Sequence, residues 1–135
     1  LLYAAISLQT IWLITKILKS MKKKIIYNSL IPFKGFISIT LFPFIFARKE
    51  YKPLKIRTII HENIHLKQQI ELLVVFFYLW YGIEWLVRLI QYKDSHEAYR
   101  NISFEREAYE NEWDEEYLDD IREPFEFLHY LRKED

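Results

Sequence analysis

The densest repeat of apolar positions in the chain runs through Ile56, Ile59, Ile60, Ile64, Leu66, Ile70 and Leu73. Spacings of three and four place them in one stripe along an α-helix. No Pro or Gly falls between Leu54 and Tyr81, so no local breaker interrupts the pattern. Residues 72–90 continue as a nearly unbroken apolar run, long enough to span a bilayer. Glu84 and Arg88 interrupt it; such charges are costly inside lipid unless paired, and these stand four apart on one helical face. The clustered aromatics also fit an interfacial or re-entrant helix. For a water-soluble chain the alternative is two core helices broken near Gly82. Either way, this run is expected to pack behind the preceding helix and shield one side of it from water.

Upstream, residues 36–42 are β-branched and aromatic, which predicts a strand. Pro43 interrupts it, and residues 44–48 either resume it or pair as a second strand. A proline here favours an edge or a bulge. An edge strand beside the long helix offers main-chain groups to an extended peptide; the plainer reading is a hairpin that closes the core. Downstream, Asp94 or Ser95 caps a helix with Glu97 in its first turn. Residues 103–110 read as a charged helix with Phe104, Ala108 and Tyr109 on its inner side. Past Pro124, a last helix carries Phe125, Phe127, Leu128, Tyr130 and Leu131 onto the core.

The long helix contains His61-Glu62-Asn63-Ile64-His65, an H-E-x-x-H pattern. Positions i and i+4 share a face, so both imidazoles reach one ion. Zn²⁺ suits nitrogen ligands at about 2.0–2.1 Å in a tetrahedral shell. Glu62 lies roughly 100° around the helix, placed to act on a water rather than to ligate. A hydrolytic site needs a third protein ligand and one open position. The remaining histidines are His96 and His129, and several carboxylates follow, Glu105 and Glu107 among them. These two glutamates point about 160° apart on one helix, so only one can serve. The plainer reading is that both are solvated helix charges. His96 is a fourth contact or an oxyanion donor at best, and more ordinarily a solvated side chain; His129 reads as structural or exposed.

The chain resembles a small gluzincin-type zinc metallopeptidase, in which a second helix supplies a glutamate ligand. Membrane-linked families of that clan, the prenyl-protein endopeptidases and heat-shock membrane proteases, carry E-x-x-A-D there. Glu105-Arg106-Glu107-Ala108-Tyr109 matches the Glu and the Ala. It also resembles the E-x-E-A form of small bacterial HExxH proteins, where Gln follows the second His by three, as Gln68 does here. The resemblance covers about residues 36–115 and rests on two short motifs. It implies Glu105 as the third ligand. It also marks a departure: Tyr109 stands where the family has an Asp that orients a ligating His. The Tyr109 hydroxyl either replaces that carboxylate or steadies an oxyanion.

Composition narrows the rest. At 135 residues the chain suits one domain. Its 19 Lys and Arg balance 19 Asp and Glu, which gives no basic surface for nucleic acid. The balance hides an asymmetry: Lys16, Lys19 and Lys22 to Lys24 make the front basic, and residues 105–126 hold most of the acid. No cysteine is present, which excludes disulfides and Cys-based metal sites. Aromatics at 18 % suit a core, a membrane interface, or both. Residues 1–20 form an apolar segment ahead of Met21 and its lysines. It reads as a membrane anchor, or as upstream translation before a start at Met21.

The expectation is therefore a mostly helical α+β protein: an HExxH helix, a small edge sheet and a second Glu-bearing helix, zincin-like, in a single domain over residues 21–135. The expected function is a zinc-dependent hydrolase, most simply a peptidase. His61, His65 and Glu105 would hold Zn²⁺, Glu62 would be general base, and Tyr109 would assist. The partner is a peptide or protein substrate. Location is membrane-associated on an unassigned side, with cytoplasmic as the alternative. A second class of function is a membrane-associated sensor or binding module whose zinc site is structural or does not turn over.

Overall fold

The computed structural model describes residues 7–13, Lys16 and residues 25–132. Residues 7–13 are helical and exposed. Most of the apolar front segment and Lys19 and Lys22 to Lys24 lie outside the described residues. The protein is a mostly helical α+β fold with one small mixed sheet, as the apolar patterning predicts.

Strands β1 (Ile25–Asn28), β2 (Ser38–Leu41) and β3 (Phe44–Arg48) order as β1-β3-β2. β1 runs parallel to β3 and β2 antiparallel to it. Leu41 pairs with Phe44, so Phe42 and Pro43 form the turn of a hairpin. Pro43 is therefore neither bulge nor edge residue; at the turn it has no ladder hydrogen bond to lose. β1 carries no alternating pattern of its own, and it is the strand that the sequence did not announce. Ile45 and Ala47 turn inward with Leu54, against Ile59 and Leu66 of the next helix.

Helix α1 (Ile56–Glu71) packs between β2 and the helix that carries Glu105. Its apolar stripe is only partly buried. Ile60 and Ile64 are in the core with Ala108 and Tyr117, but Ile56 is 60 % exposed and Leu73 68 % exposed. The buried face instead holds His61, Glu62, Asn63, His65, Gln68 and Gln69. A helix that buries this many polar groups needs a partner for each.

The chain does not continue straight. α1 ends at Leu72–Val74, and α2 (Val75–Tyr92) leaves at 111°. The break therefore falls well before Gly82, which sits inside α2. Leu73 N–H bonds the Ile70 carbonyl at 3.1 Å and Val74 N–H bonds the Gln69 carbonyl at 2.6 Å. This is the Schellman pattern of helix termination, in which a residue at positive φ normally is Gly. Here Leu73 has φ 53° and Val74 φ 63°. Non-glycine residues in that region cost roughly 1–2 kcal/mol each.

α2 is inside-out. Its two charged residues, Glu84 and Arg88, are buried and paired at 3.2 Å, while Val75, Phe76, Leu79, Ile83, Leu86 and Ile90 are exposed. At 100° per residue these six lie within an arc of about 100°; Tyr78 and Val87, also exposed, widen the outward arc to about half the circumference. Among the described residues no single helix is long and apolar enough to cross a membrane; α1 and α2 would have the length and composition only as a bent pair.

Buried Glu84 does a second job. It accepts from Ser103 N–H at 2.8 Å and Ser103 Oγ at 2.7 Å. Ser103 opens α4 (Ser103–Asn111), after the short α3 (Ser95–Arg100), which Asp94 caps through Glu97 N–H at 2.9 Å. A carboxylate at a helix N-terminus satisfies an orphan N–H and complements the dipole. Phe104 then seats in an aromatic cluster with Phe77, Trp80, Tyr81 and Phe127. The last expected helix is a five-residue 3₁₀ turn, Glu126–Tyr130, anchored by Phe127 alone; Phe125, Leu128 and Leu131 stay exposed.

Leu73→Gly is expected to raise the urea midpoint of unfolding by an amount equivalent to about 1 kcal/mol, because it relieves left-handed strain at a mostly exposed site. A lower midpoint would show that α1 does not end in this way.

Candidate metal centre

One turn of α1 carries His61 and His65 to the same side, and α4 brings Glu105 opposite them. Nε2 of His61 and Nε2 of His65 are 3.1 Å apart. Glu105 Oε2 is 3.3 Å from the first and 3.4 Å from the second. Ligand bonds of 2.0–2.1 Å at tetrahedral angles set ligand–ligand separations of about 3.3–3.4 Å. The triangle has that size. Oε2 has no hydrogen-bond alignment to either nitrogen and is a buried oxygen without a donor. A buried acceptor left in this way is expensive, and a cation at the centre of the triangle satisfies it. The residues present thus fit a divalent ion. Two imidazoles and a carboxylate suit Zn²⁺, and equally Fe²⁺ in facial three-ligand sites.

Each ligand is held from behind. His61 Nδ1 meets Glu112 Oε2 at 2.8 Å, and Glu112 is paired with Arg57. His65 Nδ1 meets Gln68 Oε1 at 2.8 Å. Glu105 Oε1 accepts from the Tyr81 hydroxyl at 2.8 Å. With both Nδ1 atoms engaged by oxygen, both Nε2 atoms turn to the common centre, as metal-ligating histidines do.

Glu62 sits to the side. Its Oε1 accepts from Ser38 Oγ and its Oε2 from Thr40 Oγ1, each at 2.6 Å. Ser38 and Thr40 are two apart on β2 and share a face. The edge strand therefore fixes the rotamer of this carboxylate. His61, Glu62, His65 and Glu105 line one cavity of about 410 Å³. Its other walls are apolar and aromatic, including Phe33, Phe36, Phe77 and Tyr99.

The charges interact strongly. Burial works to lower the pKa of His61, but Glu105 and Glu112 outweigh it and raise it to about 10. His65 is also raised, against its burial, chiefly by Glu105. Burial alone would raise the carboxyl of Glu105; the two imidazoles hold it well below the usual range instead. Tyr99 is pushed above its ordinary value by burial and then by Glu105, so its hydroxyl stays protonated.

The structure brings together His61, His65, Glu105 and, alongside, Glu62. Tyr109 stacks edge-on against His61 at 4.6 Å between ring centroids, and its hydroxyl is 3.4 Å from that of Tyr99. The resemblance allotted to residue 109 the orienting of a ligating histidine; at His61 Nδ1 that place is held by Glu112, three residues further along. Glu112 stood out in the sequence only as one of a run of acids. Glu107 is fully buried and is neither solvated nor at the triangle; it pairs with Arg122 and accepts from Gln68. His96 and His129 are both exposed.

No family model matches this chain, and no curated protein or solved structure matches it either.

With metal stripped by a chelator, the raised His61 pKa makes a stabilising contribution that is complete below about pH 6.5 and is lost as pH rises toward about 10. Urea midpoints of the stripped protein should fall across that window and fall less in His61→Gln. A flat profile for the unaltered chain would show that the His–Glu contacts do not form in solution.

Proposed function

We propose that the chain is a zinc-dependent hydrolase of the gluzincin type, acting on peptide bonds. The observation that supports this is a carboxylate base held by two hydroxyls beside a correctly sized His-His-Glu triangle. An oxidative Fe²⁺ site has no use for such a base, which favours zinc and hydrolysis. When bound, Zn²⁺ supplies Lewis acidity: it lowers the pKa of a ligated water toward about 7 and polarises a carbonyl.

The chain's own residues do the remainder. Glu62, its two oxygens fixed by Ser38 and Thr40, keeps unused lone pairs with which to accept the water's proton. It later delivers that proton to the leaving amine. β2 is an edge strand, so an extended peptide can add to it and lie across the cavity. Tyr99, protonated and lining the cavity, is placed to donate to a developing oxyanion, with the Tyr109 hydroxyl behind it.

Glu62→Gln is expected to retain zinc by elemental analysis while peptide hydrolysis falls by about 10²–10⁴-fold. Glu105→Ala should lose the metal. Undiminished hydrolysis in Glu62→Gln would sink the mechanism. Zinc retained by the unaltered protein with no turnover of a diverse peptide library would favour the alternative, a zinc-bearing sensor or binding module. Iron in place of zinc would redirect the chemistry.

We also propose that the outer face of α2 rests in a lipid bilayer. A helix with its charges inside and apolar residues over half its surface is suited to a hydrocarbon surrounding. Its 18 residues make it about 27 Å long. The purified protein should float with phosphatidylcholine vesicles, and Ile83→Glu with Ile90→Glu should release it; flotation unchanged by both substitutions would refute the assignment.

A further inference from the structure

We infer that Glu107 is a positioning residue for the metal centre: acting through the Gln68 amide, it dictates which nitrogen of His65 faces the ion. This inference rests on the metal-site reading above. Gln68 is fully buried. Its Nε2 donates to the Phe104 carbonyl at 3.1 Å and to Glu107 Oε2 at 2.9 Å. Its Oε1 faces His65 Nδ1 at 2.8 Å.

An amide has one acceptor end and one donor end, and the network decides which way round it sits. A backbone carbonyl and a carboxylate both only accept. Turning the amide over would set its oxygen against those two acceptor oxygens, with no hydrogen between them. The Gln68 oxygen must therefore face His65. An oxygen there requires the proton on Nδ1, which leaves the lone pair of Nε2 for the metal.

Glu107 is the part of this relay that holds charge, and it is itself fixed. Arg122 Nε bonds Glu107 Oε1 at 2.5 Å, and the Tyr117 hydroxyl bonds the same oxygen at 3.2 Å. Arg122 Nη1 and Nη2 are clasped by Glu71 at 2.5 and 3.1 Å. Arg122 can only donate, so it holds Glu107 as an acceptor toward Gln68. The two histidines are thus oriented by different devices. A carboxylate reaches His61 directly, whereas a carboxylate reaches His65 through an amide.

Glu107→Gln tests this with almost no change of shape. Arg122 and Tyr117 will demand the new amide's oxygen, which turns its NH₂ toward Gln68. Gln68 is then caught between the Phe104 carbonyl, which still calls for its NH₂, and residue 107, which now calls for its oxygen; when the oxygen turns to residue 107, the NH₂ faces His65. That arrangement favours the proton on Nε2, where it blocks the metal. Zinc affinity, measured by competition with a chromophoric chelator, is expected to fall on the order of 10- to 100-fold, the usual effect of losing an orienting partner.

The Gln68→Glu, Glu107→Gln double variant keeps the charge and restores an acceptor facing both His65 and residue 107. It should recover most of the zinc affinity, which a merely structural role for Glu107 would not allow. In the zinc-loaded unaltered protein, ¹⁵N shifts should show His65 with zinc on Nε2 and a slowly exchanging proton on Nδ1. Zinc on Nδ1 would overturn the relay even if no variant folds. Equal zinc affinity in Glu107→Gln, or no recovery in the double variant, would overturn it as well. An unaltered protein that binds no zinc would instead refute the metal-site reading on which the relay stands.

Discussion

Two imidazole nitrogens and a carboxylate oxygen converge within 3.1–3.4 Å in a buried pocket, and everything around them serves to keep them there. Left alone, the cluster would disperse or take up protons, since buried acceptors and charges are expensive without partners. It persists because each member is gripped from the far side: His61 by Glu112 and Arg57, His65 by Gln68, Glu105 by Tyr81. The raised pKa values of both histidines and the depressed one of Glu105 are the electrostatic record of that confinement.

The same logic explains how α4 arrives opposite α1. Glu84 on α2 takes both the N–H and the hydroxyl of Ser103, and Phe104 enters the aromatic cluster at zero exposure. The next residue, Glu105, is presented to the histidines. The register of α4 is thus set by a buried capping carboxylate and one ring. The 111° turn at Leu73 and Val74 matters here too, because it swings α2 back so that Glu84 and Tyr81 can reach α4.

A fold this small, with its apolar helix face turned outward, does not bury enough carbon on that side to resemble an ordinary core. It places polar groups inside α1 and α2 and satisfies most of them: both terminal nitrogens of Arg88 are engaged, by Glu84, Gln91 and the Leu131 carbonyl, while Arg88 Nε and Asn63 Oδ1 have no partner among the described residues. Buried networks of this kind favour one arrangement over near alternatives when they are fully satisfied.

The local pattern carried a good deal. Isoleucines at three- and four-residue spacing determined that residues 56–71 are helical, and that alone puts His61 and His65 one turn apart on a shared face. β-Branched runs on either side of Pro43 marked extended chain without deciding whether the two pair, and Asp94 or Ser95 marked a helix start. None of these needs a distant contact. Other features are decided only in three dimensions. Leu73 occupies a place where Gly would have advertised the turn, so the break is silent in the residues. Glu112, Tyr81, Ser38 and Thr40 look like any acid, aromatic or hydroxyl until folding brings them to His61, Glu105 and Glu62. Glu105 and Glu107 look alike on one helix; what separates them is that one faces two histidines and the other an arginine 15 residues away in the chain. Spacing along a helix sets which side chains share a face, and tertiary packing alone sets what that face meets.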